Sequence, residues 1–159
     1  MKYSVIEKGP FQIVGIKRKF STVNGENLLG IPKLWDEMNT DGTSERLYEL
    51  NNGSIKGVLG VCVSDSSQQP NEMDYWVAAE YEGPVPEGFI NFEIPASKWV
   101  VFEVRGAMPH AMQNAWKQIF TEWFTTSGFK HADAPEMEVY PGGDPSSDDY
   151  YSEIWLPVK

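Results

Sequence analysis

The sequence predicts an α+β domain made of two β-α-β-β units in tandem, with an antiparallel sheet covered by helices on one face. Three observations carry this reading. Two segments place apolar residues at helical spacing, several short runs are rich in β-branched and aromatic residues, and these elements follow one another in the same order twice. At 159 residues the chain has the size of one domain with its own core.

The first unit opens with Phe11–Lys17, a strand by its β-branched content. Ile31, Leu34, Trp35 and Met38 then fall at i, i+3, i+4 and i+7, one face of a helix over 28–38 with Pro32 in its first turn. A short helical turn at Glu45–Leu50 leads to strands Gly57–Val63 and Met73–Tyr81, joined by a polar loop over 64–71. In the second unit Ser97–Arg105 is the strand and Pro109–Phe124 the helix. Met112, Trp116, Ile119, Phe120 and Trp123 form its apolar stripe, and Gly128 marks its end. Strands Glu136–Tyr140 and Tyr151–Val158 close the chain around the loop 141–149. The halves, 1–83 and 84–159, also share local text. Asp74-Tyr75-Trp76-Val77-Ala78 answers Glu153-Ile154-Trp155-Leu156-Pro157, each with an acid two residues before a tryptophan. An internal repeat of this length means two similar units that meet at a seam.

Composition excludes several functions. A net charge of −10 repels phosphate backbones, and no basic cluster offsets it, so no direct contact with nucleic acid is expected. The start of the chain lacks the apolar core of a secretion signal, and no stretch is long and apolar enough for a membrane span. The lone cysteine, Cys62, reads as a small strand residue in a reducing compartment, and the expected location is the cytoplasm. No phosphate loop, metal-spaced His/Cys cluster or catalytic triad order is visible, and His110 and His131 read as surface residues, so neither cofactor nor metal is expected.

Strand alternation sorts side chains onto two faces. Ile154, Leu156 and Val158 form the set that packs under helices, and Tyr151, Glu153 and Trp155 the opposite set. By the same rule that second face carries Trp76, Trp99, Glu138 and Tyr140. A solvated sheet face would carry Thr, Lys and Ser instead. Three explanations fit so many rings: a ligand pocket, a second small core, or a contact between subunits. Glu153 draws notice because its strand is otherwise apolar. A carboxylate among rings lacks solvation unless a cation meets it, and ring faces add cation–π attraction. A plain alternative is an edge-strand glutamate pointing into water.

Three stretches together resemble the GyrI-like small-molecule-binding domain, the effector-binding domain of AraC-type and MerR-type regulators. They are Glu87-Gly88-Phe89 with Ile94–Phe102, Trp116–Phe124 with Ser127-Gly128-Phe129, and Pro135–Tyr140 with Glu153–Val158. The likeness is closer over 86–159 than over 1–85. It implies a ligand groove at the junction of the two units and a buried glutamate in the final strand, here Glu153, that meets cationic, drug-like ligands between aromatic walls. Trp155, Trp99, Tyr151, Tyr140 and Trp76 are the wall residues that alternation assigns to it. Such regulators carry a helix-turn-helix before this domain and these residues do not include one, so a stand-alone sensor or sequestrant is expected. A homodimer contact and a protein that reads the signal stay open. Two other roles are compatible with the resemblance. One is a hydrolase of cyclopropane-bearing DNA-alkylating natural products, with Glu153 as base and Tyr140 or Tyr151 as proton donor. The other is a protein inhibitor of the gyrase-binding kind.

Overall fold

A computed structural model of the chain describes residues 1–63 and 71–159; the expected loop over 64–71 lies, but for Asn71, outside the described residues. Eight strands form one antiparallel sheet: β1 (Tyr3–Lys8), β2 (Phe11–Ser21), β3 (Val58–Val63), β4 (Glu72–Glu80), β5 (Ile90–Ile94), β6 (Ser97–Arg105), β7 (Glu136–Tyr140) and β8 (Tyr151–Val158). Helices α1 (Glu26–Thr40) and α2 (Thr43–Leu50) cover β3 and β4. Helix α3 (His110–Gln118) covers β6 and β8, and runs through a wider i→i+5 turn at Ile119–Trp123 into the short α4 (Phe124–Ser127). Gly128 ends this run at φ 81°, a left-handed C-terminal cap as the sequence predicts. No helix among the described residues is long and apolar enough to cross a membrane.

The strand order is β1-β6-β8-β7-β3-β4-β2-β5. Read from either end, it gives the same sequence of equivalents when β1 is matched to β5, β2 to β6, β3 to β7 and β4 to β8. A duplicated unit has this symmetry, and its seam runs between β7 and β3. The edge strands β1 and β5 are additions to the expected units, and each pairs with the other half's sheet, β1 with β6 and β5 with β2.

That exchange forces the sheet to curl. Only Gly9 and Pro10 separate β1 from β2, and only Pro95 and Ala96 separate β5 from β6. Two intervening residues span at most about 11 Å. Strands six positions apart in a flat sheet would lie about 29 Å apart. The sheet therefore bends until its ends meet: Lys8 of β1 reaches Glu80 of β4 at 3.3 Å and Ser54 at 2.6 Å.

Curling encloses the face without helices. Trp76, Trp99 and Trp155 join Ile13, Leu59, Val61 and Met137 there in a dense apolar cluster, with Trp99 fully buried. Of the three explanations for the aromatic face, a second core is the one that the packing fits. Pro32 is a smaller correction. The helix begins at Glu26, so this proline sits inside α1 rather than in its first turn. It leaves the Leu28 carbonyl without its i+4 donor, and Gln113 Nε2 of α3 donates to that oxygen at 3.2 Å.

Truncating any of the three enclosed indoles opens a void that the curled sheet cannot collapse around. Trp99→Ala is expected to cost about 3–5 kcal/mol, read as a lowered denaturation midpoint.

Candidate functional site

A cavity of about 900 Å³ opens on the helix-covered face, between α1 and α2 on one side and α3 on the other. Its floor is the seam between the two units, where β3, β4 and β7 supply Cys62, Tyr75, Glu138 and Tyr140. The predicted helix stripe divides on meeting it. Leu34 and Met38 enter the core, while Ile31 and Trp35 turn toward the cavity.

Glu138 is the centre of the floor. Its carboxylate is buried, and three donors converge on it. The Tyr75 hydroxyl donates to Oε1 at 2.6 Å and the Tyr140 hydroxyl to the same oxygen at 3.0 Å. Trp116 Nε1 of α3 donates to Oε2 at 2.7 Å. Trp35 Nε1 of α1 donates to the Tyr75 oxygen at 2.9 Å, which obliges that hydroxyl to point its own proton at the acid. Burial raises the Glu138 pKa above the usual carboxylate range, and the hydrogen bonds from Tyr75, Trp116 and Tyr140 oppose that rise. Burial and the negative charge of Glu138 push both phenols well above their ordinary value, so they remain protonated donors. Asp36, Glu45, Glu136 and Asp144 also line the cavity, and among the described residues no Lys or Arg does. Cys62 shares the floor, its thiol held protonated by burial and by Glu138 and Glu136.

The floor depends on a missing side chain. Gly60 of β3 stands opposite Glu138 of β7 in register, and the Tyr75 ring leans across it to reach the acid. A Cβ at Gly60 would overlap the Tyr75 hydroxyl and lie 2.9 Å from Glu138 Oε1.

Of the residues assigned from sequence, Tyr140 lines this cavity, and Glu153, Trp155, Trp99, Tyr151 and Trp76 do not. Trp76, Trp99 and Trp155 fill the enclosed core of the curled sheet, with Trp99 and Trp155 at 6.0 Å. Glu153 lies on that same face. It accepts from Tyr151 Oη at 2.6 Å and Trp155 Nε1 at 3.0 Å, and stands opposite Glu103 in register. The acid–phenol pair expected of a hydrolase thus exists at Glu153 and Tyr151, but away from the cavity. The face assignment of β7 is also corrected. Its Met137 and Val139 pack in the enclosed core, and Glu138 pairs with Ile154 on the helix side.

Trp35, Tyr75 and Trp116 are cavity residues that the sequence reading did not assign to a site, and Glu138 was read as part of the aromatic face rather than as its key acid. A signal for two of them lies in the helices: Ile31 and Met112, Leu34 and Ala115, Trp35 and Trp116, Met38 and Ile119 are each separated by 81 residues. The two tryptophans are repeat equivalents, and they approach one acid from opposite sides of the seam.

The family model described as the GyrI-like small molecule binding domain matches residues 1–159. This chain belongs to that family. The GyrI-like domain is 28% identical, over 144 residues, to the transcriptional regulator BrlR of Pseudomonas aeruginosa, covering 88% of this chain and 48% of that protein. It therefore spans about half the length of that regulator. In structure it resembles SAV2435 bound to tetraphenylphosphonium, with a TM-score of 0.88 and 28% identity, covering 100% of this chain and 94% of that one. A protein of Staphylococcus aureus MU50 assigned to bacterial transcription regulation gives a TM-score of 0.86 at 28% identity, covering 100% and 99%. The chain is thus a small-molecule-binding domain related to transcription regulators.

Two measurements probe the floor. Because burial raises the folded-state pKa of Glu138 above its unfolded value, the folded chain holds an extra proton between the two, and stability falls as pH rises through that interval. Glu138→Gln is expected to flatten this part of a melting-temperature series run from about pH 4 to 8. Gly60→Ala is expected to displace the Tyr75 hydroxyl and push the Glu138 titration still higher, and Tyr75→Phe to shift it the same way without the steric clash; an NMR titration of the Glu138 side chain reads both.

Proposed function

We propose that this domain binds lipophilic organic cations in the cavity between α1 and α3, with Glu138 as counter-charge. The observation that carries the reading is a buried carboxylate, met by three neutral donors, in a cavity lined, among the described residues, by acids and by neither Lys nor Arg. Three hydrogen bonds already occupy most of the roughly four acceptor positions on a carboxylate. Charge, rather than a further hydrogen bond, is what the acid has left to offer, which suits a quaternary onium centre. Trp35, Tyr140 and Trp116 supply ring surface, each worth about 0.5–2 kcal/mol to a cation by cation–π attraction. The tetraphenylphosphonium bound by SAV2435 is a ligand of this class.

Two of the three helices that wall the cavity are tied to the acid, α3 directly and α1 through Tyr75. A cation that competes for Glu138 changes both ties together, which suits a sensor whose state a second protein reads.

A hydrolytic role draws on the Glu138–Tyr140 pair, a carboxylate and a phenol in one cavity. A ring-opened product after incubation with a cyclopropane-bearing alkylator would support it, and an unchanged substrate would remove it.

The binding reading is tested by titrating tetraphenylphosphonium while following tryptophan fluorescence, with tetraphenylborate as a same-shape anion. The cation is expected to bind and the anion not. Glu138→Gln should weaken the cation at least about tenfold, or about 1.4 kcal/mol. Equal binding of the two ions, or an unaltered affinity in Glu138→Gln, would sink the proposal.

A further inference from the structure

Phe120 stands at the rim of the cavity, outside the buried core. It is 46% exposed and lies outside the apolar cluster that takes in its neighbours Trp116, Trp123 and Phe124, yet it lines the cavity. Its position follows from the wide turn at Ile119–Trp123. Within that turn Ile119 stays fully buried and Trp123 packs edge-on against Phe102 at 4.9 Å, which leaves Phe120 on the outer side. Such turns recur at functional sites because they re-aim a side chain.

The ring is nonetheless held in place. It stacks on Trp116 with centroids 5.6 Å apart and planes 13° from parallel, and Phe124 continues the ladder at 5.6 Å and 27°. Trp116 in turn donates its N–H to Glu138. A run of stacked aromatic surface therefore leads from the buried acid to the exposed lip of the cavity.

We propose that Phe120 is a specificity-determining platform for flat, polycyclic aromatic cations. The fused rings lie along the Trp116–Phe120 stack while the charge stays near Glu138, so the inference rests on the reading of the cavity as a cation site. A tetrahedral cation such as tetraphenylphosphonium presents only separate phenyl groups and gains little from an extended flat surface. At about 900 Å³ the cavity has room for either shape. Offset-stacked rings gain energy beyond the area they bury.

Two titrations test this: ethidium by its own fluorescence and tetraphenylphosphonium by calorimetry. Each is run on the native protein and on the Phe120→Ala, Phe120→Trp and Glu138→Gln variants. Phe120→Ala is expected to weaken ethidium about five- to tenfold and tetraphenylphosphonium by less than about twofold. Phe120→Trp should restore ethidium, Glu138→Gln should weaken both ligands, and the Phe120 variants should melt as the native protein does because the ring is exposed. Equal losses for the two cations in Phe120→Ala, no loss for ethidium, or ethidium binding that ignores Glu138→Gln would overturn the platform. If the native protein binds neither cation, the cation reading of the cavity fails first, and the platform falls with it.

Discussion

A single negative charge, kept out of water at the seam of a duplicated sheet, sets the arrangement of everything around it. A buried carboxylate without donors costs several kcal/mol, so the fold must deliver hydrogen bonds to Glu138 from whatever elements it has. It uses the sheet through Tyr75 and Tyr140, α3 through Trp116, and α1 through Trp35 and Tyr75. The contacts that make the acid tolerable therefore also fix the helices on either side of the cavity. Chemistry at the floor and geometry at the walls are one problem with one solution.

The second constraint is topological. Two-residue connections between strands at opposite ends of the sheet leave it no choice but to bend, and bending assigns the two faces different work. The inside of the bend becomes dry, aromatic and closed around Trp99. The cavity lies instead where helices stand off the sheet, over the seam. Gly60 contributes by absence: with no side chain on β3 at that point, a tyrosine can lie across the strand and reach the acid on the neighbouring one.

The α+β class, helices α1 and α3, the short helical turn that forms α2, the Gly128 cap and six of the eight strands were legible in the sequence, because each has a strong local signature. The edge strands β1 and β5 were not, since their exposed, mixed residues show no clean alternation. Strand alternation found the aromatic face but not the cavity, which lies on the other side of the sheet. Two glutamates stand among aromatic rings on strands: Glu153 on the enclosed face and Glu138 on the open one. Alternation within a strand says which residues share a face, and it does not say which face a curled sheet will close. Alternation put Glu138 and Tyr140 together on the aromatic face, and the pairing of Glu138 with Ile154 puts them under the helices instead.

Exchange of the edge strands has a consequence for how such a domain can be dissected. Each half ends its sheet with a strand borrowed from the other, so a cut near residue 83 would strip both fragments of a border they cannot replace. The two halves are therefore expected to fold together or not at all, since each closes the other's border.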